Sequence, residues 1–600
     1  MAMAASIIFL PAFAFASSIH DISPAFERYD ADLPDALATV VSLEAQSCAF
    51  SVVATSDLGD ISVPKTYRQA LKSPEWRYWR EAINKELKGL IELSTWDLIP
   101  AASMPPNSNL MHSHFVFALK RKKSGEVEKF KARLVADGNT QKFGIDFDKV
   151  FSAVVKPLTI RLVLAIAAAR DYNLSSIDIR QAYLQALIKE DLFMRCPPGV
   201  HPFSENGEPL VCKLRRSLYG LKQAGREWAK LFTAFLVDWG MHNSTIDVCL
   251  YTFADGPSIL WVLVYVDDAL IADNNASLRD RFVKDLSARF PTEDKGELDW
   301  ILNIGVDRDR DAKTLTLSQS LYVSDLLDKF TPYMDAKCTR NFDSPMEEGV
   351  LFSADDCPVL SSSEYDEMAP NRQAYMSIVG GILWLANMTR PDLAYPAAQL
   401  ARFLSNPGKK HLAAASRLLI YLRGTRDRKL IFSPSDDYGF ETYVDSSWTT
   451  RFSCSGALYF YHGCLFHWFT KTQRSVTLSS AEAEFFGAML AAKDIIFIRE
   501  LLAELNILIE GPSVMYSDSR SAVILAFDPV AFKNTKHILR AAEFLRDLVT
   551  RRVVTLEHVA GTTMIADLLT KACARPVFIA LMRLLDDFSS SHESHMRQGA

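Results

Sequence analysis

Apolar positions follow a different rhythm in each stretch of the chain. From Lys65 to Leu93, Ala70, Trp76, Trp79, Ile83, Leu87, Leu90 and Ile91 recur at helical intervals and predict a helix. Phe115 to Lys120 and Phe130 to Val135 read as strands of an antiparallel hairpin turned at Ser124-Gly125-Glu126. Thr159 to Arg170 reads as a buried helix that leads into a short alternating strand, Leu174 to Ile179. A second helix, Gly225 to Trp239, precedes Leu263 to Ile271, a strand-like run that is apolar except for Asp267-Asp268. Leu278 to Phe290 predicts an amphipathic helix, Thr314 to Leu317 an alternating strand and Tyr322 to Phe330 another helix.

Between Thr339 and Asn371 the Ser, Pro, Asp and Glu content rises and helical periodicity fails, which predicts a linker or long loop. Helices return at Tyr375 to Met388, Ala394 to Leu404 and Lys410 to Leu422. From Glu441 the period shortens to that of strands, with Thr442 to Asp445, Gly456 to Tyr461 and Leu465 to Thr470 as a meander turned at His462-Gly463. Strands followed by helices point to a separate α/β domain. Residues 1–64 show no strong period and read as a poorly ordered leader. The partition expected is therefore 1–64 leader, 65–338, 339–440 linker and helical region, 441–575 α/β domain, and 576–600 tail.

At 600 residues, 49% hydrophobic and 23% charged, the chain can bury several cores. A net charge of −6 excludes a uniformly basic nucleic-acid coat, so any such contact must be local. One basic run qualifies: seven Lys or Arg against two Glu between His112 and Arg133. Nine scattered cysteines without a Cys-x-x-Cys pair, and twelve histidines without a His-x-x-x-His pair, indicate neither a disulfide framework nor a zinc cluster. The uncharged stretch Met1 to Ile19 imitates a signal peptide, but its first basic residue is Arg28, so secretion is not expected. No apolar run is long enough for a membrane span.

Two adjacent carboxylates in an apolar strand are costly unless they lie at a hairpin tip and hold divalent cations; the plainer reading is a solvated turn. Asp178 weakens the plainer reading, because it ends the neighbouring short strand. Three acidic groups on adjacent strands are what a phosphoryl-transfer enzyme needs to hold two metal ions.

Tyr265-Val266-Asp267-Asp268 with Ile177-Asp178-Ile179-Arg180-Gln181-Ala182-Tyr183-Leu184 resembles the palm of a reverse transcriptase of the copia type of long-terminal-repeat retrotransposon. Lys131 to Gly138 is similar to the family's fingers motif and Arg216 to Ala224 to its most distinctive string. Thr389-Arg390-Pro391-Asp392 and Ser479-Ser480-Ala481-Glu482-Ala483-Glu484 follow in the family's order. The resemblance runs from about Pro64 to about Lys571. It implies a multidomain α/β and α+β chain: a right-hand polymerase of fingers, palm and thumb, followed by a ribonuclease H-like domain.

On that resemblance Asp178, Asp267 and Asp268 are the catalytic, metal-binding set, with Asp178 and Asp267 as direct ligands and Asp268 in support. Arg133 would clamp the nucleotide triphosphate, aided by Lys120 or Lys122, and Tyr183 would exclude a ribose 2′-hydroxyl. Tyr219 and Gly220 would lie beneath the templating pair, with Lys131, Lys222 and Arg226 along the nucleic-acid backbone. The chain departs from the family at Ala186-Leu187 (Gly-Asp is usual), at Gly225 (Pro) and at Asp137 (Lys or Arg).

A second catalytic and metal-binding set, Asp445, Glu482, Asp518 and Asp567, resembles that of ribonuclease H, with Glu484 as the alternative to Glu482. Ser479-x-x-Glu482 also fits a helix capping box, and Asp567 could simply favour the positive end of its helix. Thr535-Lys536-His537-Ile538 resembles the family as well, although Leu539 and Glu543 replace its usual Asp and His.

The implied activity is RNA-directed DNA synthesis with hydrolysis of RNA in the hybrid, supported by two Mg²⁺ per site with Mn²⁺ as a substitute. The implied partners are an RNA template, a DNA or RNA primer, an RNA–DNA hybrid and deoxynucleoside triphosphates, without a membrane. The expected location is intracellular, in a cytoplasmic virus-like particle or the nucleus. No protease or integrase motif is present, so the chain is expected to be the C-terminal part of a longer product or a truncated copy. Two alternatives stand beside this reading: an inactive nucleic-acid-binding relic, and a chain with ribonuclease H activity only.

Overall fold

The computed structural model describes residues 61–121, 127–335, 337–448, 453–473, 477, 479–527 and 539–588. Nearly all of the expected leader, the turn Ser124-Gly125-Glu126 and the Thr535–Ile538 string lie outside these residues. The first helical stretch is two helices, α1 (Tyr67–Lys72) and α2 (Trp76–Glu92). Helix α2 buries Trp79, Ile83, Leu87 and Leu90, with the Trp79 ring edge-on to Phe117 and Phe130 at 5.3 and 4.7 Å. Strands β1 (Trp96–Pro100) and β2 (Leu110–Met111) precede the expected hairpin, β3 (Ser113–Arg121) and β4 (Val127–Ala136).

Helix α3 (Pro157–Arg170) has eleven of its fourteen residues buried, as its unbroken apolar run predicts. It leads into β5 (Asn173–Ile179), then α4 (Ala182–Gln185), β6 (Phe193–Arg195), β7 (Leu210–Leu214), α5 (Ala224–Asp238) and β8 (His242–Asn243). Next come β9 (Leu250–Asp255), β10 (Ser258–Tyr265), β11 (Asp268–Asp273), α6 (Ala276–Arg289) and β12 (Thr292–Glu297). The six-stranded sheet, ordered β12-β5-β11-β10-β9-β8, is antiparallel throughout. Alternation along β10 divides its faces: Leu260 and Val262 pack with Trp228, Phe232 and Phe282 of α5 and α6, while Trp261 and Leu263 join the core around α3.

Strands β13 (Trp300–Ile301), β14 (Ile304–Asp309) and β15 (Thr314–Ser318) lead to α7 (Ser320–Phe330). Helices α8 (Ser363–Met388), α9 (Ala394–Ala401) and α10 (Lys409–Gly424) follow, and then β16 (Leu430–Phe432) pairs with β15. Helix α8 starts inside the stretch that lost its periodicity. The Ser362 hydroxyl accepts the Tyr365 N–H at 3.1 Å, Glu364 and Asp366 lie in the first turn, and Pro370 sits within the helix, which is what hides it from the sequence pattern.

The last sheet contains β17 (Phe440–Ser447), β18 (Cys454–Tyr461) and β19 (Cys464–Thr472), an antiparallel meander whose tight turn has His462 at φ +48° and Gly463 at φ +78°. Helix α11 (Ser480–Glu504) crosses over to β20 (Ser513–Ser517). Helices α12 (Arg520–Phe527) and α13 (Leu539–Thr550) precede β21 (Val554–His558). The order is β19-β18-β17-β20-β21, with β17, β20 and β21 parallel. A 3₁₀ turn (Ile565–Leu569) and α14 (Arg575–Phe588) close the described chain; the stretch expected as a tail begins as this helix and buries Phe578, Leu581 and Phe588. An antiparallel palm-type sheet followed by this mixed five-stranded sheet is the architecture of a right-hand polymerase joined to a ribonuclease H-like domain.

One hydrophobic core runs from α3 through α8, α9 and α10 into β17, β18, β19 and α11. Arg161 of α3 is wholly buried at this seam. Its guanidinium donates to Phe466 O at 2.7 Å, Asn387 O at 2.5 Å and Met388 O at 2.9 Å, and lies 4.1 Å over the Trp468 ring. At the far end of α11, Glu504 accepts the Thr245 N–H at 3.0 Å and the Thr245 hydroxyl at 2.7 Å. The eight described cysteines are all free, and no described helix is long and apolar enough to cross a membrane.

Candidate active sites

Asp267 lies in the two-residue turn between β10 and β11, where Tyr265 pairs with Asp268. Val266 has φ +59°, a region that a β-branched residue enters only when its surroundings hold it there. The Trp228 indole N–H donates to Val266 O at 2.6 Å and the Ile179 N–H to Asp267 O at 2.7 Å, which fixes the turn against α5 and β5. Asp268 stands directly opposite Asp178 on β5, a like-charge pairing that is unfavourable unless a cation offsets it. Lys295 of β12 supplies one, with its ammonium 2.9 Å from Asp268 and 3.5 Å from Asp178. Burial, then the neighbouring Asp268, raises the Asp267 pKa.

The expected nucleotide residues converge on the same corner. The Arg133 guanidinium lies 5.1 Å over the Tyr219 ring, which meets the Tyr183 ring edge-on at 5.5 Å. Burial, then Asp267, pushes the Tyr183 hydroxyl up to about 12. Gly220 has φ +89°, and a Cβ there would lie 2.2 Å from Ala136 O. The end of β4 and the Tyr219-Gly220 loop therefore touch backbone to backbone, with the Ala136 N–H on Tyr219 O at 2.8 Å.

Lys222 turns to Gln141 O, 3.3 Å away, and to the Phe147 ring at 4.6 Å, while Arg226 lies 4.0 Å from Glu227. Lys131 is half-buried on β4, Lys120 lies on β3, and Lys122 is outside the described residues. Asp137, one of the departures from the family, pairs with His114 at 2.7 Å.

The second set is assembled from distant elements: Asp445 in β17, Glu484 in α11, Asp518 just past β20 and Asp567 in the 3₁₀ turn. Carboxylate oxygens of Asp445, Glu484 and Asp518 all lie within 4.8 Å of one another. The structure brings Glu484, not Glu482, to this group. Residues two apart on a helix face nearly opposite ways; Glu482 is a buried residue of the first turn, which the Ser479 hydroxyl caps through the Glu482 N–H at 3.2 Å.

Glu484 also accepts the Ser446 N–H at 3.1 Å. Burial, then Asp445 and Asp518, pushes its pKa up to about 9. Burial and Asp445 push Asp567 up to about 7 and raise Asp518 as well. The Thr570 hydroxyl donates to Asp445 Oδ2, and the Lys571 ammonium lies 2.7 Å from Asp567 and 3.9 Å from Asp445. Burial lowers the Lys571 pKa, but Asp445 and Asp567 outweigh it and hold that pKa above the ordinary lysine value.

Lys295, Thr570 and Glu86 were given no role by sequence reasoning. Glu86 of α2 accepts the Leu134 N–H at 3.1 Å beside Arg133, and burial raises its pKa. The only sequence signal for Lys295 is a lysine two residues past Glu293 in a short polar strand, and Thr570-Lys571 stands at the end of the resemblance without a chemical assignment.

Both sets are all-oxygen donors of the kind hard divalent cations take. Buried carboxylates that raise one another's pKa, as Asp445 does for Glu484, Asp518 and Asp567, fit a site built around added positive charge.

An acidic hairpin in an antiparallel palm, joined through one core to a mixed sheet with its own carboxylate cluster, is the arrangement of a reverse transcriptase-type fold. Residues 93–341 match the family described as reverse transcriptase (RNA-dependent DNA polymerase). The chain is 34% identical over 537 residues to a retrovirus-related Pol polyprotein from transposon RE1 of Arabidopsis thaliana, covering 89% of itself and 35% of that protein. It is 33% identical over 528 residues to the corresponding polyprotein from transposon TNT 1-94 of Nicotiana tabacum, covering 87% of itself and 39% of that protein. The chain thus spans little more than a third of the curated relatives it matches. A foamy viral protease-reverse transcriptase in complex with double-stranded DNA is similar at 12% identity, with a TM-score of 0.38, over 80% of this chain and 69% of that one.

Proposed function

We propose that the chain is an RNA-directed DNA polymerase with ribonuclease H activity, copying RNA into DNA and hydrolysing RNA in the hybrid. The observation that carries the reading is the palm corner, where Asp267, Asp268 and Asp178 meet across paired strands beside Arg133, Tyr183 and Tyr219. Asp178, Asp267 and Asp268 would hold divalent ions there, and Asp445, Glu484, Asp518 and Asp567 in the second site. Such ions, Mg²⁺ by the oxygen-only chemistry, would activate the attacking oxygen and stabilise the leaving one.

The rest falls to the chain's own residues. Arg133 clamps the triphosphate of an incoming deoxynucleotide, with Lys120 or Lys122 adding charge. Tyr183, packed against Tyr219, closes the space a ribose 2′-hydroxyl needs. Tyr219 and Gly220 support the templating pair, and Lys131, Lys222 and Arg226 follow the backbone of the template and of its DNA or RNA primer. The second site receives the RNA–DNA hybrid that synthesis produces, inside the cell, where deoxynucleoside triphosphates are available.

The test is Mg²⁺-dependent extension of a DNA primer on an RNA template by the purified chain, beside Asp267→Asn. Extension by the parent and its loss in the variant are expected. A folded parent that extends no primer would overturn the polymerase reading.

A further inference from the structure

We propose that Glu86 is the positioning residue of the nucleotide clamp: it holds the end of β4 by its backbone, so that Arg133 stays aimed at an incoming triphosphate. The inference rests on the reading of Arg133 as that clamp. Among the described residues β3 and β4 form a sheet of their own, with the outer edge of β4 open. An edge of this kind leaves its outward N–H groups to find other acceptors. Leu134 and Ala136, two residues apart, turn theirs outward. The Leu134 N–H reaches Glu86 Oε1 at 3.1 Å, and the Ala136 N–H reaches Tyr219 O at 2.8 Å. A carboxylate from α2 and a carbonyl from the Tyr219 loop thus stand where a third strand would.

Arg133 lies one residue before the first of these bonds, and the loop that makes the second carries the ring beneath its guanidinium, 5.1 Å away. Glu86 flanks the buried stripe Ile83, Leu87 and Leu90, so the packing of α2 delivers its carboxylate to the strand edge. Burial raises the Glu86 pKa, and the Leu134 N–H, Arg133 and Lys131 draw it back, so the carboxylate lies in the field of the guanidinium. An arginine is long, and where its fork arrives depends on the backbone at its root. A two-stranded hairpin holds that backbone only weakly by itself. Without Glu86 the N–H of the fully buried Leu134 loses its acceptor, and the end of β4 must move to find another.

The test measures kcat and KM for a deoxynucleoside triphosphate in primer extension by the full chain, with circular dichroism reporting the fold of each variant. Glu86→Leu, which fills the space without an acceptor, should raise KM about tenfold and leave kcat within about twofold of the parent. Glu86→Ala should do the same, so that if one of the two folds poorly the other decides. Glu86→Gln keeps an acceptor for the Leu134 N–H and should restore the parent KM. In a chain carrying Arg133→Met, which has lost the clamp, Glu86→Leu should change KM less than about twofold, whereas a merely structural role would add its effect in full. A full additive effect there, an unchanged KM in Glu86→Leu and Glu86→Ala, or a raised KM in Glu86→Gln overturns the proposal and leaves the clamp standing. An unchanged KM in Arg133→Met, or no extension by the parent, overturns the clamp reading and the proposal with it.

Discussion

The two carboxylate sets answer the same electrostatic problem in different ways. In the palm, neighbouring strands and one strained turn bring the acids together, and Asp178 and Asp268 keep about a third of their side-chain surface, 32% and 39%, open to water. In the C-terminal site four separate elements converge on an Asp445 side chain only 3% exposed, and three of the four acids are pushed up in pKa. In the palm solvent reaches and screens two of the three acids, Asp178 and Asp268, while burial raises the pKa of Asp267. The second site is a closed cluster that stores repulsion and is relieved only by positive charge. Each carries a lysine across its acids, but Lys295 sits on the exposed edge strand whereas Lys571 reaches the buried centre.

The sharpest way to break this comparison is a double dissociation. Asp267→Asn should lower primer extension about a thousandfold and leave hybrid cleavage near the parent rate, and Asp445→Asn should do the reverse; loss of a metal ligand removes several kcal/mol of transition-state stabilisation. Both rates measured on both variants decide it. If either substitution abolishes both activities, the sites are not separate centres.

Arg161→Met probes what the sites share. The substitution strands three carbonyl acceptors at the seam and should cost about 3 kcal/mol of stability, read as a lowered denaturation midpoint that precedes loss of both activities together. Loss of one activity alone would mean that the halves stand independently. The smallest effect is expected at Tyr183→Val, which should relax discrimination against ribonucleotides by about tenfold or more in the ratio of kcat/KM values, without touching hybrid cleavage.

Much of the palm could be read in advance, because its acids lie in or beside short alternating strands and periodicity places such residues directly. Helix α3 was legible for the same reason, and so was the His462-Gly463 turn. The second site was legible as a list of residues but not as a geometry. Nothing in Glu482-Ala483-Glu484 tells which face of α11 meets β17, since the choice depends on how the helix rolls against the sheet.

Lys295 escaped because its strand is polar throughout and is recognisable only once paired with β5. The start of α8 was hidden by Pro370, which breaks the pattern but not the helix. Arg161 did leave a trace: an arginine in the middle of a helix whose neighbouring turns, Thr159 apart, are apolar on every side must end in a buried bond.

The seam has a consequence for any break in the chain. The stretch before α8 is the accessible place for one, with Leu351, Val359 and Leu360 63%, 77% and 70% exposed. A protease cutting there would nick the chain without parting it. Strand β16, downstream of the cut, remains paired to β15 upstream, and Arg161 stays locked into the strand and helix end beyond it. The two fragments would migrate apart on a denaturing gel and still elute as one particle.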